Sequence, residues 1–210
     1  AGSGKSSTAK AVARELGIQY LDSGALYRAL TIHFLESDCQ KQVFIDTLKN
    51  LDLQFRYENE LFRVWVNDRE VTDQIRSMKV SEQVSTVAGI PEARRFVNKR
   101  MKERIRQDVF IAEGRDLGTA VFPEAALKFF MTASVEKRAE RRLKELQEKG
   151  VEVSLDEIID NIRKRDVMDS SRDTDPMKQS DQAILIDTSE LSFEEQVDVI
   201  SSKISNSVDI

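Results

Sequence analysis

Three apolar runs of strand length, Val109 to Ala112, Leu127 to Met131 (interrupted only by Lys128) and Ala183 to Ile186, alternate along the chain with stretches of helical apolar spacing. Runs without polar alternation belong to strands covered on both faces. Parallel strands need crossover connections, and helices are the usual ones, so the pattern predicts an α/β protein with a parallel sheet flanked by helices. The N-terminal part obeys the same rhythm. Spacing predicts a helix from Lys5 to Leu16 stopped by Gly17, a short strand from Ile18 to Leu21, a turn at Asp22, Ser23 and Gly24, and a helix from about Ala25 to Glu36. Pro91 suits a first helical turn, and the pairs Ser154 with Glu157 and Ser192 with Glu195 have capping-box spacing.

One stretch breaks the rhythm. From Leu51 to Val71 the segments Leu53 to Tyr57 and Phe62 to Val66 alternate in polarity and are followed by Asn67-Asp68-Arg69, which is turn chemistry. This predicts a small antiparallel insertion. With 210 residues and 40% hydrophobic content, the chain can build one substantial core. No run approaches the ~20 apolar residues of a membrane span, and no charged-then-apolar leader opens the sequence, so a cytoplasmic location is expected. Cys39 and His33 are the only residues of their types, which argues against an intramolecular disulfide and a zinc cluster. The formal charge of −5 argues against a broad footprint on duplex nucleic acid.

The start Ala1-Gly2-Ser3-Gly4-Lys5-Ser6-Ser7 matches the second half of the phosphate-loop pattern G-x-x-x-x-G-K-S/T. Gly2 and Gly4 let the backbone fold around phosphates with its N–H groups inward, and the following helix adds its positive end. Lys5 is placed to reach the β- and γ-phosphates of a nucleotide, and Ser6 to face a magnesium ion. The opening glycine of the pattern falls two positions before Ala1, and the apolar strand that feeds such a loop is not in the sequence. The expectation is therefore of a truncated chain whose natural form carries both. The alternative, a flexible Gly/Ser linker, is opposed by the helix that follows at once.

Three further clusters combine arginine with short polar or acidic groups. Asp22-Ser23-Gly24-Ala25-Leu26-Tyr27-Arg28 leaves a strand end, where open α/β sheets bind ligands. Glu113-Gly114-Arg115-Asp116-Leu117-Gly118-Thr119 leaves another, with glycines that permit close backbone approach. In Arg165-Asp166-Val167-Met168-Asp169-Ser170-Ser171-Arg172, the residues Arg165, Asp169 and Arg172 fall on one face if the segment is helical. Other positions stay open between two readings. Arg138, Arg141 and Arg142 sit in a run of Glu and Lys and suit solvated ion pairs. Asp116 suits either a turn or acceptance of a hydrogen bond from an exocyclic amine. Ser85 and Arg94 carry no local signature and read as a polar helix position and a surface charge.

Together L-D-S-G-A-L-Y-R, the G-R-D-L-G-T-x-V-F-P run from Gly114 to Pro123, and R-D-x-x-D-x-x-R resemble bacterial cytidylate kinases, within the nucleoside monophosphate kinase group of P-loop proteins, over nearly the whole chain. The resemblance implies a parallel five-stranded sheet flanked by helices, with the antiparallel β insertion and a helical lid. It implies a single kinase domain with a core at about 1–46, 79–142 and 166–210, an acceptor-binding insertion at about 47–78 and a lid at about 143–165. The implied activity is transfer of the γ-phosphoryl group of ATP, with Mg²⁺, to CMP or dCMP. By the same resemblance Gly2, Ser3, Gly4, Lys5, Ser6 and Ser7 bind ATP, Ser6 faces the metal, and Arg141 is a further candidate to reach ATP. Arg28, Arg115 and Arg172 hold the acceptor phosphate, Ser85, Arg94 and Asp116 face the cytosine, and Arg165 and Asp169 approach the sugar. Asp22, Ser23 and Gly114 lie beside the acceptor, and Lys5, Arg115, Arg165 and Arg172 form the catalytic set. The chain is expected to act as a monomer on small nucleotides, with no nucleic-acid or membrane partner. The rival readings are a P-loop kinase acting on a metabolite hydroxyl, a nucleotide binder without catalysis, and a GTP-dependent switch, the last opposed by the lack of an N-K-x-D motif.

Overall fold

The structure is a computed structural model that describes residues 2–105, 109–148 and 150–207. Ala1 of the phosphate-loop motif, Lys149 of the expected lid, and the core positions 106–108 and 208–210 lie outside the described residues. The chain divides into two compact units, Ala13–Gly114 and Ala1–Val12 with Arg115–Ile210. The first helix, α1 (Lys5–Leu16), runs as its spacing predicts. Gly17 ends it with φ +66°, and the Ile18 N–H reaches back to the Ala13 carbonyl at 3.0 Å, a left-handed cap that glycine adopts without steric cost.

The Ala13–Gly114 unit begins with β1 (Gln19–Asp22) and α2 (Ser23–Glu36). Helix α2 starts two residues earlier than the spacing predicts. Asp22 forms no turn; it is the N-cap, and its carboxylate accepts from the Ala25 N–H at 2.9 Å. Leu26 and Leu30 are fully buried on α2, and side chains of this size each contribute about 1.5–3 kcal/mol through burial. Next come α3 (Lys41–Leu48), then β2 (Leu53–Glu58), β3 (Leu61–Val66) and β4 (Arg69–Glu70). These strands form the antiparallel sheet that their alternation predicts, with Leu53 opposite Val66 and Trp65 opposite Glu70. Its two-residue turns, Asn59-Glu60 and Asn67-Asp68, all have positive φ, the backbone that matches the twist of a tight hairpin. Helices α4 (Met78–Ala88) and α5 (Pro91–Ile105) pack against α2, and β5 (Phe110–Glu113) pairs in parallel with β1, Asp22 opposite Glu113.

In the other unit, β6 (Phe129–Thr132) and β7 (Ile184–Asp187) pair in parallel. Between them run α6 (Val135–Gln147) and α7 (Leu155–Ser171), and α8 (Phe193–Ser205) follows β7. The capping boxes at Ser154 and Ser192 both form. Helices α6 and α7 bury Ala139, Ile158 and Ile162 together, with Val135, Leu143 and Leu146 packed around them.

Two expectations change. Strands β5 and β6 are half-buried throughout, not covered on both faces. Each parallel sheet holds two strands among the described residues, so each strand keeps an edge without a strand neighbour. Among those residues the strands form two parallel pairs and one three-stranded antiparallel sheet, a mixed α/β architecture. No helix among them is long and apolar enough to cross a membrane.

Candidate active site

The glycine loop ahead of α1 is built for close approach. Gly2 and Gly4 have φ of +77° and +85°, and a Cβ at either would come within 2.8 Å of the Arg138 carbonyl or 2.5 Å of the Gln196 Oε1. Three consecutive carbonyls of this loop accept from protein donors. The Arg141 guanidinium donates to Gly2 at 3.4 Å, and the Thr188 hydroxyl faces the Ser3 carbonyl at 3.1 Å. The Gly4 carbonyl accepts from the Ser7 hydroxyl at 2.9 Å and the Thr8 N–H at 3.0 Å. Because C=O and N–H of one trans peptide point in opposite directions, the N–H groups of Ser3, Gly4 and Lys5 face away from these donors. Backbone amides turned this way at the start of a helix suit an anion. Lys5 is half-buried, while Ser6 and Ser7 are exposed.

The same unit holds a chain of charged groups. Arg115 donates to the Asp169 carboxylate, Arg172 pairs with Asp116 at 3.1 Å, and Arg172 approaches Asp169 at 3.9 Å. Asp116 and Asp169 are buried, and Arg172 is only 11% exposed. Each carboxylate is tolerable there because an arginine faces it. Arg172 is not on the helical face that its spacing from Arg165 predicts. Helix α7 ends at Ser171 and Arg172 is extended, ψ 144°, with its Nε donating to the Asp175 carbonyl at 2.7 Å. Arg165 is half-buried on α7. Arg138 and Arg141 are not solvated surface charges either. Arg138 pairs with Asp166 at 2.6 Å and holds the Ala133 carbonyl, and Arg141 grips Thr188 as well as Gly2. Arg142 does form the expected exposed pair, with Glu145.

In the Ala13–Gly114 unit, Asp22 and Glu113 end neighbouring parallel strands, and Gly114 follows half-buried. Burial pushes the Asp22 carboxyl well above the ordinary carboxylate range. The Glu113 charge and a hydrogen bond between the two side chains push the same way, against the Ala25 N–H and Arg28. The neutral form of the Asp22 carboxyl is therefore favoured in the folded chain. Ser23 is buried and donates to the Glu113 carbonyl at 2.9 Å. Arg28 donates to the Ile75 carbonyl and the Ser81 hydroxyl, at 3.2 and 2.9 Å. Ser85 is half-buried on α4. Arg94 is no surface charge: it is 1% exposed, donates to the Ala88 carbonyl at 3.1 Å and lies over the Tyr27 ring at 5.4 Å. A cation over an aromatic face is favourable where water is excluded.

Sequence reasoning passed over Thr8, Thr188 and Gln196, which hold the glycine loop; each sits among other polar residues, and nothing in its spacing sets it apart from them. Among the described residues, no group of three or more His, Cys, Asp or Glu side chains could hold a metal ion. A cation arriving with phosphates still fits the exposed Ser6 hydroxyl, because magnesium keeps most of its water and phosphate ligands.

A protein-family model described as cytidylate kinase matches residues 1–206. The cytidylate kinase of Carboxydothermus hydrogenoformans is 40% identical over 200 residues, covering 94% of this chain and 90% of its own. That of Phocaeicola vulgatus is 41% identical over 208 residues, covering 95% and 91%. That of Fusobacterium nucleatum subsp. nucleatum is 40% identical over 209 residues, covering 97% and 93%.

Proposed function

Because the chain belongs to the cytidylate kinase family, we propose that its glycine loop and its arginine groups hold two nucleotides for one reaction. The enzyme is a kinase that transfers the γ-phosphoryl group of ATP to CMP or dCMP, giving ADP and CDP or dCDP. The observation that carries the chemistry is the loop from Gly2 to Lys5, whose carbonyls are tied to the protein while its amides stay outward.

Gly2, Ser3, Gly4, Ser6 and Ser7 cradle the phosphates of ATP, with Arg141 holding the loop, and Lys5 neutralises the β- and γ-oxygens. Magnesium, when bound, supplies further neutralisation of the phosphate chain, and Ser6 would hold it. Arg28, Arg115 and Arg172 take the acceptor phosphate; Asp22, Ser23 and Gly114 line the acceptor; Arg165 and Asp169 take its sugar. Ser85, Arg94 and Asp116 read the cytosine. An acceptor phosphate oxygen forms the new bond to the γ-phosphorus as the bond to the ADP oxygen breaks. Charge spreads over the equatorial oxygens of the transferring group, so stabilisation by Lys5, Arg115, Arg165 and Arg172 is the protein's main contribution. No base is needed, because the acceptor phosphate has a second pKa of about 6 and is mostly doubly ionised at neutral pH. The lid at about 143–165, which takes in the end of α6 and the first part of α7, keeps water from the γ-phosphorus.

The finer form of the fold is a parallel five-stranded sheet flanked by helices, with the antiparallel β insertion and a helical lid. With it go one kinase domain with residues of about 47–78 as acceptor-binding insertion, a monomeric chain and a cytoplasmic location. The test is ADP formation with CMP, dCMP, UMP and AMP as acceptors. CMP and dCMP are expected to be preferred, because a base site built from hydrogen bonds rejects ligands that leave its polar groups unpaired. Equal rates with AMP and CMP would contradict cytosine reading.

A further inference from the structure

We propose that Gln196, on α8, is a positioning residue that braces the phosphate loop from beneath; the proposal rests on the reading of Gly2 to Ser7 as the ATP site. Gln196 is 4% exposed, and both ends of its amide are committed. Its Nε2 donates to the Leu191 carbonyl at 3.1 Å, which turns Oε1 toward the loop. That oxygen accepts from the Thr8 hydroxyl at 3.1 Å, and Thr8 is fully buried. It also lies against Gly4, where a Cβ would approach it to 2.5 Å. The Gly4 contact falls where the chain turns with φ +85° to enter α1. One amide therefore touches both the turn that sets the direction of the loop amides and the first buried residue of the helix behind them. Thr188, at the end of β7, acts from a second direction, its hydroxyl facing the Ser3 and Thr132 carbonyls at 3.1 and 3.0 Å.

The loop thus takes its shape from groups already fixed on two elements, and ATP need not pay to order it. Gln196 is the member whose chemistry can be changed at nearly constant volume. Gln196→Glu keeps the shape, removes the donor to Leu191 and places a carboxylate under a loop that must receive anions.

The test is steady-state kinetics together with calorimetric ATP binding on the full chain. Gln196→Glu is expected to raise the KM and Kd for ATP about tenfold or more, since each 1.4 kcal/mol is tenfold and a buried like charge exceeds that. The effect should grow as pH rises through carboxyl titration, a dependence absent from the wild type. The KM for CMP at saturating ATP should stay within about twofold. Thr8→Val should weaken ATP binding in the same direction, and its combination with Gln196→Ala should be less than additive, because both remove one interaction. The brace is overturned if folded Gln196→Glu binds ATP as the wild type does, or if the CMP and ATP constants rise together. Where Gln196→Glu does not fold, Thr8→Val, Gln196→Ala and their double variant decide the question by the same titrations. A wild-type chain that binds ATP without phosphorylating CMP would overturn the functional reading alone, and the ATP titrations of the variants would still judge the brace.

Discussion

Asp22 caps α2 and sits opposite Glu113 across a strand pair, and the two positions have opposite electrostatic demands. The cap favours a charged carboxylate, while burial and the neighbouring carboxyl disfavour it. An acid whose folded pKa is raised binds more protons folded than unfolded between the two values. Its stabilising contribution is therefore complete below the unfolded value of about 3.9 and is lost as pH rises through the folded one. Urea midpoints measured from acid to neutral pH should show this decline in the wild type and a smaller one in Glu113→Gln. Parallel curves would contradict a part for Glu113 in raising the Asp22 pKa. Arg172 faces two buried carboxylates. Arg172→Ala should lower kcat by about a hundredfold or more through lost charge stabilisation. It should also cost about 3 kcal/mol of stability by leaving buried charge unpaired. Arg172→Lys should not restore the rate, because a point charge cannot serve several acceptors in the fixed geometry of a guanidinium. Near-normal turnover in Arg172→Ala removes the residue from the mechanism. At this scale the motif residues were legible because glycines and arginines at strand ends have few structural uses. Arg94 was not: a buried arginine under Tyr27 leaves the same trace in sequence as an exposed one.

Elements with chemical start signals read well, and those without did not. The capping boxes at Ser154 and Ser192 and the proline at the start of α5 mark helices that form where expected. Helix α3 escaped notice because it is short and its cap residue Gln40 makes no side-chain bond. Strands β1, β5 and β7 begin one residue later than their apolar runs, and β6 two, because hydrogen-bond register sets strand ends while hydrophobicity marks only the interior. Helix α7 stops one residue short of the face that its arginines suggest, since Arg172 turns extended to reach Asp116 and the Asp175 carbonyl. The pair α6 and α7 shares a small apolar core of its own. Ile162→Ala should cost about 2–5 kcal/mol locally. Hydrogen exchange should speed up across both helices, and ATP cleavage by water without acceptor should rise. Unchanged exchange, with no rise in water-driven cleavage, would argue against a lid role for this pair.

Across the whole molecule the family match covers residues 1–206, so the activity belongs to nearly the full length of the chain. The chain is acidic overall, with a formal charge of −5, yet it must gather two anionic nucleotides, and in the proposed site local groups do this: the loop amides, Lys5 and a few arginines. Binding to the folded state alone raises stability, by about 2.7 kcal/mol at a ligand concentration of 100 Kd. ATP and CMP should therefore each raise the thermal midpoint, and UMP or AMP in place of CMP should raise it less. The most direct measurement is ³¹P nuclear magnetic resonance of ATP and CMP incubated with the protein and magnesium. The account predicts that CDP phosphorus signals grow in step with those of ADP, with little inorganic phosphate. Loss of ATP to ADP and inorganic phosphate, with CMP unchanged, would contradict it.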